Sequence, residues 1–304
     1  MDNNYYHDKN ELISKLTELA SSGNYVFRGY SIQEQMLPNI IRKNATDIEM
    51  KLLCEFEKYA SQYINVNNPI DFMSYAQHFG LSTRLLDYTY NPFVALYFAL
   101  FKSKANNNTH AEDNSYYYIR YCDIKDNLLL QEIPIVDEGP IFKGFSMSER
   151  CEKLFQTLDI IYKDFRNQLF INKDAAIKSI CDSIRSDNSF FDIEREIKNK
   201  VDNRSILLID PNQSNQRIVM QQGLFLLCYS LDTEEHWNMI NQNTNVIKVH
   251  KILREELQVY LNTIGINAFR LMPDLASVCE AVERKVKEKR NRKSKLFKKN
   301  NRSI

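Results

Sequence analysis

The chain has little of the material from which several common protein classes are built. Among 304 residues only seven are Gly and seven are Pro, which excludes collagen-like, low-complexity and turn-dense all-β architectures. No apolar run reaches the roughly 20 residues that an α-helix needs to cross a bilayer. The longest, Pro92 to Phe101, spans ten residues and reads as a core helix. The opening Met1-Asp2-Asn3-Asn4-Tyr5-Tyr6-His7 has neither the basic start nor the apolar stretch of a secretory signal, so a cytoplasmic setting is expected. The six cysteines lie about thirty or more residues apart with no C-x-x-C, and the five histidines show no H-x-x-x-H spacing. A zinc site or a redox pair is therefore not expected, and no metal is assigned. The G-x-G-x-x-G, Walker A, H-E-x-x-H and G-x-S-x-G patterns are also missing, and with them the usual nucleotide, metalloprotease and hydrolase readings.

What is present is ample core material, with 43% apolar and 12% aromatic residues, enough for one large domain. Charge is unevenly placed. Residues 284 to 304 hold eleven Lys or Arg against the single acid Glu288, a net +10, which leaves −9 on the 283 residues before them. The organisation predicted is one α+β domain over 1–283 followed by a basic, disordered tail. By charge alone that tail would bind nucleic acid or an acidic partner in a salt-dependent way.

Helical spacing predicts a first helix over Glu11 to Ala20, one from Thr46 and Asp47 to Ile64, one from Asp71 to Phe79, one over Phe93 to Phe101 capped by Asn91-Pro92, and one over Leu253 to Leu261. Glu234, Glu235, His236 and Trp237 read as a helix start with an exposed acidic turn. Strands are predicted at Tyr25 to Phe27, Tyr116 to Cys122, Ser205 to Ile209, Leu224 to Cys228 and Val246 to Val249, with a loop over Leu81 to Asn91. Helices are expected over Phe155 to Tyr162, Asp174 to Ile184 and Phe191 to Val201 in a less legible middle. Helices dominate early and strands gather late, so the expected fold is a helical N-terminal half packed on a small mixed or antiparallel sheet.

Four blocks carry a family resemblance. Tyr25-Val26-Phe27-Arg28-Gly29 comes first. The second runs from Ala76-Gln77-His78-Phe79-Gly80 through Ser82-Thr83-Arg84-Leu85-Leu86-Asp87 to Asn91-Pro92 and Ala99. Residues 217–225 and 264–275 complete the set. In this order they resemble the FRG-domain family, with Ser82, Phe79 and Tyr88 standing where that family commonly has Pro, His and Trp. The resemblance implies no established activity. More loosely, the blocks are similar to mono-ADP-ribosyltransferases, in which an aromatic-Arg strand grips a dinucleotide, a Ser-Thr segment precedes a helix, and a third motif supplies a Glu. That likeness would make NAD a substrate rather than a cofactor, and a toxin or defence role conceivable. However, no Glu occurs between Arg204 and Ser230, so a Gln there could hold a ribose hydroxyl but could supply neither negative charge nor a base.

Read as chemistry, Arg28 is a planar charged fork suited to phosphate or carboxylate, or else an Arg paired with a carboxylate such as Asp87. Gly29 would let a ligand approach the backbone. His78 is a candidate acid or base with Asp87 as its orienter. Gln77, Thr83 and Arg84 complete a polar network, with an internal Arg84–Asp87 ion pair as its structural alternative. Gln221 and Gln222 are candidate carboxamide or base-edge readers, or a plain turn. The resulting ligand-binding set is Phe27, Arg28, Gly29, Gln77, Thr83, Arg84 and Gln222, with His78, Asp87 and Gln221 as catalytic candidates. A small-molecule or nucleotide ligand is the expected partner; the alternative is a non-catalytic sensing or interaction module tethered through the tail.

Overall fold

A computed structural model describes residues 4–66, 68–101, 115–124, 128–130, 146–155 except 153, 206–211, 215–228 and 230–274, with a few positions between 278 and 286. Of the three helices expected between Phe155 and Val201 all but Phe155 itself, and nearly all of the basic segment 284–304, lie outside the described residues. The fold is α+β, as expected, and its sheet is mixed. It is also larger than expected.

Eight strands form one sheet in the order β1-β8-β4-β2-β3-β7-β6-β5. They are β1 (Tyr5–Tyr6), β2 (Tyr25–Tyr30), β3 (Leu85–Thr89), β4 (Tyr116–Asp123), β5 (Leu128–Leu130), β6 (Leu207–Ile209), β7 (Gly223–Leu227) and β8 (Asn245–His250). The pairs β1/β8 and β5/β6 are parallel and the others antiparallel.

β3 is the principal correction to the sequence reading, because the expected loop over 81–91 supplies a central strand. The reason is burial on both faces: Leu85, Leu86, Tyr88 and Thr89 are all buried, so the apolar pair Leu85-Leu86 does not alternate with polar residues as it would in a half-exposed strand. Asp87 is the polar exception.

One face of the sheet carries helices α1 (Lys9–Ser21), α3 (Glu49–Ala60), α4 (Pro69–His78), α5 (Pro92–Phe101) and α8 (Arg254–Thr263). Of the expected caps only Asn91 is in place: Asp71 lies inside the first turn of α4, and α3 starts without a side-chain cap behind a turn at Thr46–Ile48. Asp8 accepts from the N–H groups of Asn10 and Glu11 at the start of α1, Asn68 from Asp71 ahead of α4, and Asn91 from Phe93 ahead of α5. α3 is shorter than predicted; it ends at Ala60, leaving Tyr63 81% exposed rather than on the buried face. The opposite face packs Val26, Tyr30, Leu86, Tyr88, Leu224 and Leu226 under Ile240 of α7 (Thr233–Asn243). In that helix His236 is buried, although its acidic neighbours start the helix as expected.

Two short helices complete the frame of the site: α2 (Asn39–Arg42) and α6 (Gln216–Gln221). α6 replaces the expected turn. Gln221 is its last residue, and Gln222 caps it in the left-handed conformation, with φ 47° and ψ 50°. Just beyond α8, α9 (Ala268–Leu271) lies against α6.

Candidate functional site

β2 and β3 lie side by side at the centre of the sheet but pair at only one position, Phe27 with Thr89. On its other edge β2 makes six pairings with β4, and β3 makes five with β7. The sheet therefore splits between its two middle strands from Gly29 and Asp87 onward. Arg28 reaches across this split, donating from Nη1 to the Asp87 carbonyl at 2.5 Å and from Nη2 to the Gln35 carbonyl at 2.6 Å. Its buried Nε has no hydrogen-bond partner, and burial pulls the guanidinium pKa down, against the pull of Asp87. An arginine stays charged regardless. Arg28 is thus held by main-chain oxygens that carry no net charge.

Two adjoining hollows open beside β3, one at the split and one among α4, α6 and β7. The larger, about 170 Å³, is bordered by Arg28, Gln35, Arg42, Thr89 and Phe98. The smaller, about 130 Å³, is bordered by Ser74, Gln77, His78, Asn215 and Phe225. Asn39, Asp87, Tyr88, Arg217 and Gln221 line both. Three guanidinium groups and one carboxylate therefore face the larger space, which makes it cationic. Arg42 donates to Asn39; burial and repulsion from Arg28 lower its pKa, while Asp87 acts the other way.

The polar network that the sequence predicted is partly present. Thr83 Oγ1 donates to Gln77 Oε1 at 2.5 Å, and Gln77 Nε2 donates to Asp87 Oδ1 at 2.7 Å. Buried Thr83 thus fixes Gln77, and Gln77 fixes an exposed carboxylate. His78 stands outside this chain. Its Nδ1 is buried without a hydrogen-bond partner, and the imidazole pKa is lowered by burial and by Arg217, with Asp274 raising it. Asp87 is engaged by Gln77 rather than acting as the orienter of His78.

Three further expectations need correction. Arg84 borders neither hollow; it is buried, salt-bridged through Nη2 to Glu49, donates from Nε to Glu49 at 2.9 Å, and sits 3.5 Å from the Phe155 ring centroid. Its carboxylate partner lies 35 residues upstream, not three residues downstream at Asp87. Gly29 is required by packing, because a Cβ there would stand 1.7 Å from the Ala95 carbonyl oxygen of α5. The approach of α5 excludes a side chain there, and Gly29 borders the larger hollow as well. Gln222 is a cap outside both hollows.

Gln221 does border both, with Nε2 donating to the Leu271 carbonyl at 2.9 Å and its own carbonyl accepting from Thr89 Oγ1 at 2.6 Å. Phe27 borders the larger hollow while packing fully buried among α1 and α5. Arg28, Asp87 and Gln221, from three separate blocks, thus meet. The sequence reading missed Gln35, Asn39 and Arg42, which lie in an irregular polar stretch without any spacing signal. Arg217 was within reach, since it stands four residues before Gln221 in the third block. Among the described residues no group of three or more His, Cys, Asp or Glu could hold a metal ion, and no helix is long and apolar enough to cross a membrane.

These features define an α+β domain with a cationic cleft at a split in its central sheet. A family model described as FRG domain matches residues 23–108, and this part of the chain is an FRG domain, as its motifs implied. The matched span holds β2, α2 and β3, and therefore Arg28, Arg42 and Asp87. No curated protein and no solved structure matches the chain.

Proposed function

We propose that the chain binds an anionic small molecule, a phosphate-bearing nucleotide in type, in the cleft between β2 and β3. The observation that supports this most directly is the convergence of Arg28, Arg42 and Arg217 on one hollow whose lining contains a single carboxylate, Asp87. Bringing like charges together costs free energy unless an anion returns it, and guanidinium forks suit phosphate oxygens. The two hollows together reach only the lower end of the roughly 300–1,000 Å³ typical of small-molecule sites. A mononucleotide fits that size better than a dinucleotide.

Binding without transfer is the form of this reading that the residues favour. No Glu lies between Arg204 and Ser230, and the Gln221 amide nitrogen is already committed to Leu271. Processing of NAD remains the catalytic version, with His78 as the acid or base and Asp87 beside the sugar. The test is calorimetric titration with pyrophosphate, ribose 5-phosphate, mononucleotides and NAD, alongside an assay for NAD consumption. Binding of phosphate-bearing ligands that weakens at least tenfold in Arg217→Ala supports the cleft. Wild-type protein that binds none of them refutes it. Consumption of NAD, abolished by Arg28→Ala in protein that still folds, would replace the binding reading with the catalytic one.

A further inference from the structure

The two hollows differ in chemistry as well as in position. Assigning parts of one ligand to the two ends rests on the anion-binding reading and sharpens it. The larger end holds Arg28 and Arg42 with Gln35. The smaller holds no side chain with a fixed charge of its own, only Ser74, Gln77, His78 and Asn215 over Ile218 and Phe225. At the wall between them stand Asp87, Arg217 and Gln221, common to both. One end suits phosphate. The other adds to the shared Arg217 and Asp87 a set of neutral donors and acceptors with Ile218, Leu224 and Phe225 in its lining, the kinds of group that the edge and face of a heteroaromatic base require. The partition carries a carboxylate that Gln77 and Thr83 hold in place, and a fixed carboxylate accepts hydrogen bonds from sugar hydroxyls.

Size then selects among bases. A closed apolar cavity of about 150 Å³ takes up benzene, and the smaller hollow, at about 130 Å³, is nearer the size of one six-membered ring than of a fused purine. The buried Nδ1 of His78 has no hydrogen-bond partner, an unmet group of the kind that a ligand satisfies.

We infer that the cleft takes a ribonucleoside phosphate whose base is a single six-membered ring, with phosphate between Arg28 and Arg42, the sugar at Asp87, and the ring edge against His78. Titration calorimetry of the full chain with ribose 5-phosphate, uridine and cytidine monophosphates, nicotinamide mononucleotide, and adenosine and guanosine monophosphates tests this. At least one single-ring nucleotide is expected to bind ten times more tightly than ribose 5-phosphate and than either purine nucleotide. His78→Phe, which keeps the ring volume, is expected to reduce that preference severalfold more than it weakens ribose 5-phosphate, while Arg42→Ala weakens every phosphate ligand alike. Purine nucleotides binding as well as single-ring ones, or ribose 5-phosphate matching them all, would overturn the inference and leave the anion-binding cleft standing. Failure of ribose 5-phosphate and of every nucleotide to bind would remove both.

Discussion

Two arginines from neighbouring motif blocks have opposite surroundings. Arg84 is buried with Glu49, its guanidinium laid over Phe155. Arg28 is held by the carbonyls of Gln35 and Asp87 at the edge of a hollow that it shares with Arg42 and Arg217. An arginine closed by a buried carboxylate has its charge balanced and its fork engaged and can do little but hold the fold together. One held by uncharged oxygens beside other cations is costly in isolation and is balanced when an anion arrives. Both residues were site candidates by composition, and only their partners tell them apart.

The strongest way to break this comparison is to unpair Arg84. Glu49→Ala leaves a buried guanidinium without its carboxylate and should cost about 3–5 kcal/mol in urea unfolding, whereas the double change Glu49→Leu with Arg84→Met should recover much of it. A loss as small as that of a surface variant would show the pair to be dispensable. Second is the buried face beneath the cleft. His236 donates from Nε2 to the Met36 carbonyl at 2.9 Å, and its Nδ1 lies 3.4 Å from Cys228 Sγ. Burial chiefly lowers its pKa from 6.5 to about 4. Between those values the unfolded chain takes up a proton that the folded one refuses. Its contribution to stability is therefore complete above about pH 6.5 and is lost as pH falls towards 4, by roughly 3 kcal/mol. Urea midpoints in His236→Gln, whatever their level at pH 7, should fall less steeply with acid than those of the wild type.

Gly29→Ala should follow, at roughly 1–3 kcal/mol, because the added Cβ meets the α5 backbone at Ala95. A lowered melting temperature checks it. A neutral substitution here would mean that α5 can move, and the wall of the larger hollow with it. The smallest stability effect belongs to the cleft itself. Arg42→Ala removes a cation that Arg28 repels, so unfolding should change by no more than about 0.5 kcal/mol while phosphate binding weakens. A large destabilisation would move Arg42 into the same class as Arg84.

Much of the fold was legible because local chemistry repeats along the chain. Asn91 caps α5 where its place before Pro92 put it, and the aromatic and branched runs at β2, β4, β7 and β8 are strands as their composition suggested. β3 was not legible, since a strand covered on both faces lacks the alternation that marks a half-exposed one. The short helix α6 hid behind Gln221-Gln222-Gly223, a triplet that reads equally well as a turn. In the site, Arg28, Asp87 and Gln221 could be chosen because each sits in a motif block, whereas Asn39 and Arg42 could not, for nothing in their spacing separates them from an ordinary surface turn.

The sequence by itself determined most of the elements, though not β3 or α6, the Asn91 cap, the uneven charge and the FRG motif with its arginine and glycine. Only the tertiary structure decided which arginine is neutralised, that the close approach of a helix keeps Gly29 without a side chain, and that the sheet parts between β2 and β3. Element type follows from residues a few positions apart, which the chain carries in order. Pairing and charge balance depend on groups brought together from positions such as 49 and 84 or 28, 87 and 221, and that proximity exists only after packing has fixed it.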